Sequence, residues 1–151
     1  MEFDQLFDEL EQKFVEPSYD WQKQINCLEI QLLTKNSLNL LAPIIGVDFV
    51  AGLDKDSGDW HCIMFQCILI INPTQLSDDE LPLLRKQEIS FSDFLITLDR
   101  PVRVVAKYAD QSDSAFNLLG VDHQFLITES RSLIPLTAIR QIRVLGTNSW
   151  A

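Results

Sequence analysis

Residues 102–145 read VRVVAKYADQSDSAFNLLGVDHQFLITESRSLIPLTAIRQIRVL, from Val102 to Leu145, and this stretch decides the fold. It divides into five strand-length runs: Val102–Tyr108, Ser114–Gly120, Asp122–Thr128, Ser132–Leu136 and Arg140–Leu145. Each is rich in β-branched or aromatic residues, and the connections are short and polar. Thr137-Ala138-Ile139 has the length of one tight turn between the last two runs. Pro135 marks the fourth run as short or at an edge, since proline cannot donate to a central ladder. Residues 100–146 are therefore expected to form a five-stranded antiparallel barrel or curled sheet. Val104, Phe116, Leu126, Ile134, Ile139 and Ile142 are its expected core.

Upstream, Ser90-Phe91-Ser92-Asp93 presents an N-cap, and Phe91, Phe94, Leu95 and Leu98 give a short amphipathic helix. Before it, residues 72–88 lose periodicity; Ser77-Asp78-Asp79-Glu80 has capping-box form, but Pro82 limits it to a short turn. Ile44–Val50, Trp60–Phe65 and Cys67–Ile71 read as strands, with the turn-rich loop Asp54–Asp59 between the first two. No fifth strand is evident in this first unit. At the start, Phe3, Leu6, Phe7, Leu10 and Phe14 fall on one helical face, ended by Glu16-Pro17. Trp21, Ile25, Leu28 and Leu32 repeat at helical spacing to about Thr34, and Leu38–Leu41 suggests a further helical turn.

The expected fold class is α+β, mainly antiparallel β: N-terminal helices followed by two small curled sheets or barrels, each preceded by a helix. The expected segments are a helical 1–37, a first small β unit and linker over 38–87, a helix plus five-stranded barrel over 88–147, and a tail over 148–151. At an offset of 63 residues the halves look weakly alike: Asp59 meets Asp122, Ile71 meets Ile134, and Thr74 meets Thr137.

Five short strands with a preceding helix and a tight turn before the last strand resemble the Sm-like and Src-homology-3-type small barrels. The resemblance is clearest in Leu133-Ile134-Pro135-Leu136-Thr137-Ala138-Ile139 followed by Ile142. The chain also resembles a group of uncharacterised actinobacterial proteins through Leu6-Phe7-Asp8-Glu9-Leu10-Glu11, Gly58-Asp59-Trp60 and Pro135-Leu136-Thr137-Ala138-Ile139. These resemblances imply a small-barrel fold and no transferable activity.

Charge narrows the function classes. The chain carries 22 acidic and 12 basic side chains, a formal charge of −10. Such a balance opposes phosphate backbones, so nucleic acid is a less favoured partner. Only residues 88–151, with seven acids and six bases, approach neutrality. Their bases, Arg100, Arg103, Lys107, Arg131, Arg140 and Arg143, read as a balanced solvated surface rather than a phosphate patch. No apolar run is long enough to cross a bilayer, and Met1–Leu10 lacks the pattern of a signal peptide. Three cysteines without a CxxC pair point to a reducing compartment, and a cytoplasmic location is expected.

Candidate chemistry is thin. Asp54-Lys55-Asp56-Ser57-Gly58-Asp59 spaces carboxylates as a calcium loop does, but position 12 is Phe65 and the flanks are strands, so a polar hairpin loop is the better reading. His61, Cys62 and Cys67 are close in sequence, yet a structural zinc site needs four ligands, and His61 and Cys62 point to opposite faces of a strand. They read as small buried hydrophobes beside a half-exposed histidine. His123 has no triad context, and Asp110 and Asp113 read as a polar loop tip. Trp21 and Trp60 read as core or rim packing, and Trp150 as a frayed or docked terminus. No catalytic, cofactor-binding or metal-ligating residue is assigned, and no cofactor is expected. The favoured function is a non-enzymatic protein-interaction or scaffold module. The alternatives are an Sm-like RNA-binding protein and an enzyme with a scattered site. A protein partner and a symmetric homodimer are expected, with no membrane association.

Overall fold

The computed structural model describes residues 24–78 and 80–145. The expected helix over Phe3–Phe14, the segment's Trp21, and Trp150 lie outside these residues.

Leu28, Ile30 and Leu32 are buried, and Glu29 and Gln31 alternate with them: Cys27–Leu32 is a strand, β1, not the continuation of a helix from Trp21. The correction has a simple cause. A spacing of four satisfies both helical and strand periods, so Leu28 and Leu32 fit either. Ile30 decides, because on a helix it would lie opposite both. Leu38–Leu41 is likewise not a helical turn but part of β2, Ser37–Ile45. Ile44–Val50 is not one strand. Gly46 to Asp48 turn the chain between β2 and β3, Phe49–Asp54, with the Gly46 N–H donating to the Phe49 carbonyl at 2.9 Å.

The first half continues with β4, Trp60–Met64, a 3₁₀ turn over Phe65–Cys67, and β5, Ile68–Thr74. The run over Cys67–Ile71 is thus the fifth strand of this half, a count the sequence conceals because β1 and the start of β2 read there as helix. After it, β6, Arg85–Lys86, adds two residues in parallel beside β2, and α1, Phe91–Ile96, follows. The Ser90 hydroxyl caps α1 by accepting the Asp93 N–H at 3.2 Å. The second half is β7, Val102–Tyr108; β8, Asp113–Val121; β9, Phe125–Thr128; β10, Leu133–Pro135; a 3₁₀ turn over Leu136–Ala138; and β11, Ile139–Val144. All five runs expected there are strands.

The expectation of α+β with two separate sheets is overturned. The described residues are nearly all β, in one open sheet of order β10-β9-β8-β7-β11-β4-β3-β2-β1-β5, with β6 off this path. All pairings on the path are antiparallel. Within each half the fifth strand lies beside the first, so the halves share one strand order. They join where β4 pairs with β11, Gln141 opposite Ile63 and Arg143 opposite His61. The offset of 63 residues matches strands in different places of that order: it sets Ile63 of β4 against Leu126 of β9. The fifth strands, starting at Ile68 and Ile139, are instead 71 residues apart.

Side-chain alternation divides the interior into two clusters. Phe49, Ala51 and Cys62 enter the larger one with Val104, Phe116, Leu126, Ile139, Ile142 and α1. Val50 and Ile63 enter the smaller one with Leu28, Ile30, Leu40 and Leu84. Strands β3 and β4 are therefore covered on both faces, which is why they read as unbroken apolar runs. Of the six expected core residues, Ile134 is half-buried against the larger cluster and the other five are buried. At Ala42 the backbone is left-handed, φ 48°, inside the register shift between β2 and β3. Gly52 fits opposite: a Cβ there would stand 2.7 Å from Leu40 Cβ and 3.0 Å from the Leu41 carbonyl.

Candidate functional site: the strand junction and the sheet edges

The chemistry-bearing side chains that the fold brings together lie at the β4·β11 junction. Asp54 ends β3 and turns inward, 7% exposed. Its carboxylate accepts the Asp56 N–H at 3.1 Å and the Ser57 hydroxyl at 2.8 Å. The Ser57 oxygen in turn accepts the Asp59 N–H at 3.2 Å. The loop expected as a polar hairpin connection is one, and its leading carboxylate serves the turn rather than facing solvent.

His61 lies beside Asp54 with Nε2 at 3.6 Å from the carboxylate. On the other side the Gln141 amide nitrogen donates to Nδ1 at 3.3 Å, which puts the imidazole proton on Nε2. His61 is 6% exposed, not half-exposed as its position suggested. Burial pushes its pKa down; the Asp54 charge opposes this and the Arg143 charge adds to it. The ring is therefore neutral at pH 7. Arg143 Nε stands 3.7 Å from Asp59 Oδ2, and neither it nor His61 Nε2 has a hydrogen-bond partner among the described residues.

The cluster holds no activated nucleophile. Cys62 points to the opposite face, into the larger core, and burial first, then the Asp48 charge, pushes its thiol up. Cys67 is half-buried and donates to the Arg140 carbonyl at 3.6 Å; burial raises its pKa against the smaller opposing effects of Arg140 and Lys107. Cys62 is inaccessible, and at Cys67 burial outweighs the two nearby cations, so neither thiol is activated. A cavity of about 220 Å³ beside the junction is lined by Ile44, Trp60, Phe94, Leu98 and Val144 with His61 and Cys62. Its volume is below the ~300 Å³ at which small-molecule sites begin.

Of the remaining candidates, His123 and Arg140 line an open pocket of about 370 Å³ together with Asp48, Ser90 and Ser92. His123 is exposed, 3.8 Å from Asp93. Asp110 accepts the Ser112 N–H at 3.0 Å and its hydroxyl, bonds that hold its carboxyl below the usual range, and Asp113 starts β8. Lys107 lies opposite Asp113 in the β7–β8 ladder, and the Arg140 guanidinium is taken by the Thr137 carbonyl at 2.7 Å. Of the bases of the last third, Lys107 and Arg143 stand beside acids, Asp113 and Asp59. Among the described residues no group of three or more metal-ligating side chains gathers, and no helix is long and apolar enough to cross a membrane.

The sheet edges are a different matter. Strand β5 is one end of the strand order and β10 is the other. On β5, Leu69 is 59% and Ile70 44% exposed; on β10, Leu133 is 58% exposed. Strand β5, Ile-Leu-Ile-Ile-Asn-Pro-Thr, has no charged residue. Proteins ordinarily guard edges with charge, proline or a covering element; among the described residues β5 has only Pro73.

No protein-family model, curated protein or solved structure matches the chain.

The junction was not legible in the sequence because Asp54 and His61 meet Gln141 only after β4 pairs with β11, some 80 residues along the chain. The β5 edge had a signal, the uncharged run Ile68–Ile71, which reads as a strand without revealing its place in the sheet.

Proposed function

We propose that the chain is a non-enzymatic protein-interaction module that engages its partner by strand addition along β5. The observation that supports this most directly is an uncharged edge strand with Leu69 and Ile70 turned to solvent. Strand addition takes its affinity from backbone hydrogen bonds and its selectivity from alternate side chains. The edge offers both: a row of backbone groups that no other described strand pairs with, and apolar side chains beside it. The polar junction supports the same reading by its chemistry, since a neutral buried histidine between an amide and a carboxylate, with no nucleophile, is suited to holding two strands in register.

The test compares Ile70→Lys with Ala115→Lys at an exposed position of β8, each as full-length bait in extract of the native host. Partners retained by the wild type and Ala115→Lys but lost by Ile70→Lys support the reading. Equal retention by all three overturns it. Short RNA recovered equally with all three, with no protein partner, would favour the nucleic-acid alternative.

A further inference from the structure

Resting on that reading of β5, we propose that the strand it receives is β10 of a second copy of this chain, joined head to tail. The argument comes from the junction already inside the molecule. There the fifth strand of the second half, β11, pairs antiparallel with the fourth strand of the first half, β4. The two strands left at the ends of the sheet are β5, the fifth of the first half, and β10, the fourth of the second. The free edges thus occupy the same places in the two halves as the strands that are joined. One chain ends in half of the junction, and the next chain begins with the other half.

The register carries over. The fifth strands begin at Ile68 and Ile139, and the 3₁₀ turns preceding them begin at Phe65 and Leu136, both 71 residues apart. Applying that shift to the internal pairs Gln141–Ile63, Ile142–Cys62, Arg143–His61 and Val144–Trp60 gives Ile70 opposite Ile134, Ile71 opposite Leu133, Asn72 opposite Ser132, and Pro73 opposite Arg131. Seven of these eight residues are uncharged, and the eighth, Arg131, stands at the end of the ladder opposite Pro73, so no like charge opposes it. Ile70 and Leu133, among the most exposed apolar residues described, come under cover together. Pro135, which cannot donate, falls outside the four pairs, and Pro73 lies in the last of them, at the end of the ladder.

A contact between two different edges is heterologous. Every added copy presents a fresh β5 or β10, so the assembly closes into a ring or extends. A symmetric dimer, β5 on β5, uses neither β10 nor the internal template, and the two arrangements predict different genetics.

The experiment is native mass spectrometry with sedimentation of the full chain at micromolar concentrations. The wild type is expected at multiples of its 17.3 kDa mass. Ile70→Lys and Leu133→Lys, both at exposed positions, are each expected as monomers with unchanged melting temperature. Mixed one to one, they retain one good edge apiece, and are expected to form a species of two copies that grows no further. A monomeric wild type overturns the proposal. So does a Leu133→Lys variant that still self-associates, or a mixture that stays monomeric. If the wild type is monomeric while Ile70→Lys still loses its partners from host extract, self-pairing fails and strand addition at β5 stands. If those partners are also retained, both fail.

Discussion

Gly52 shows how much one absent methyl group decides. Strand β3 passes close to β2 where the ladder shifts register, and a Cβ at Gly52 would meet Leu40 Cβ and the Leu41 carbonyl. Neither is the far end of a flexible side chain, so relief requires backbone movement. Gly52→Ala is expected to destabilise by about 1–3 kcal/mol, the scale of overpacking in a filled interior, as measured by urea unfolding. His61 makes a second prediction at this scale. Its folded pKa lies below the ordinary 6.5 because burial disfavours the charged ring. Above 6.5 neither the folded nor the unfolded state holds the extra proton, and the full stability is present. Below it the unfolded chain takes up a proton that the folded chain refuses. Stability then falls, with a slope of up to ~1.4 kcal/mol per pH unit, until the folded pKa is reached. His61→Gln is expected to flatten the stability profile between pH 6.5 and 5. A wild-type profile equally flat across that window would show that the buried ring accepts its proton freely. The carboxyls held low by backbone N–H groups, Asp122 among them, act at more acidic pH and leave this window clear.

The elements differ in how openly the chain declares them. Helix α1 has its cap at Ser90 and its buried Phe91 and Leu95 within six residues, and it was legible. Its dependence on the cap is testable: Ser90→Ala removes the acceptor for the Asp93 N–H and is expected to cost about 1 kcal/mol. Leu95→Ala, at a fully buried position, is expected to cost more, about 2–5 kcal/mol. Equal effects would mean that α1 is not held by its packing against Phe49. The five strands β7–β11 were legible for the same local reason, since each alternates within itself and ends in a polar turn. Strand β1 was not, because its buried leucines sit at a spacing that helix and strand share. Strands β3 and β4 showed their apolar runs but not their place: burial on both faces erases alternation, and a run of that kind says nothing about its neighbours. The Asp54–His61–Gln141 contact and the join of the halves belong to the same class of fact, since both rest on the β4·β11 pairing that no local pattern encodes.

At the scale of the whole molecule, the two halves share strands and the two clusters share a wall. Phe49 and Val50 are neighbours in sequence yet serve different clusters, as do Cys62 and Ile63. Losing the smaller cluster would release Val50 and Ile63 and with them the strands that carry Phe49 and Cys62 into the larger one. Losing the larger cluster would free β11 and uncover β4. Neither half can therefore unfold alone without exposing apolar surface of the other, at ~25 cal/mol per Å², and the described sheet is expected to melt in one transition. Trp60, half-buried at the junction, and far-UV circular dichroism should report the same midpoint in urea. Ile63→Ala in the smaller cluster and Ile142→Ala in the larger should each move that shared midpoint downward, by about 2–5 kcal/mol. If the halves were independent domains, each substitution would shift only its own transition and leave the other in place. Two separable midpoints, one answering to Ile63 and one to Ile142, would show that the shared wall does not couple the clusters. A single midpoint that answers to both would place the unit of folding across the β4·β11 junction rather than within either run of five strands.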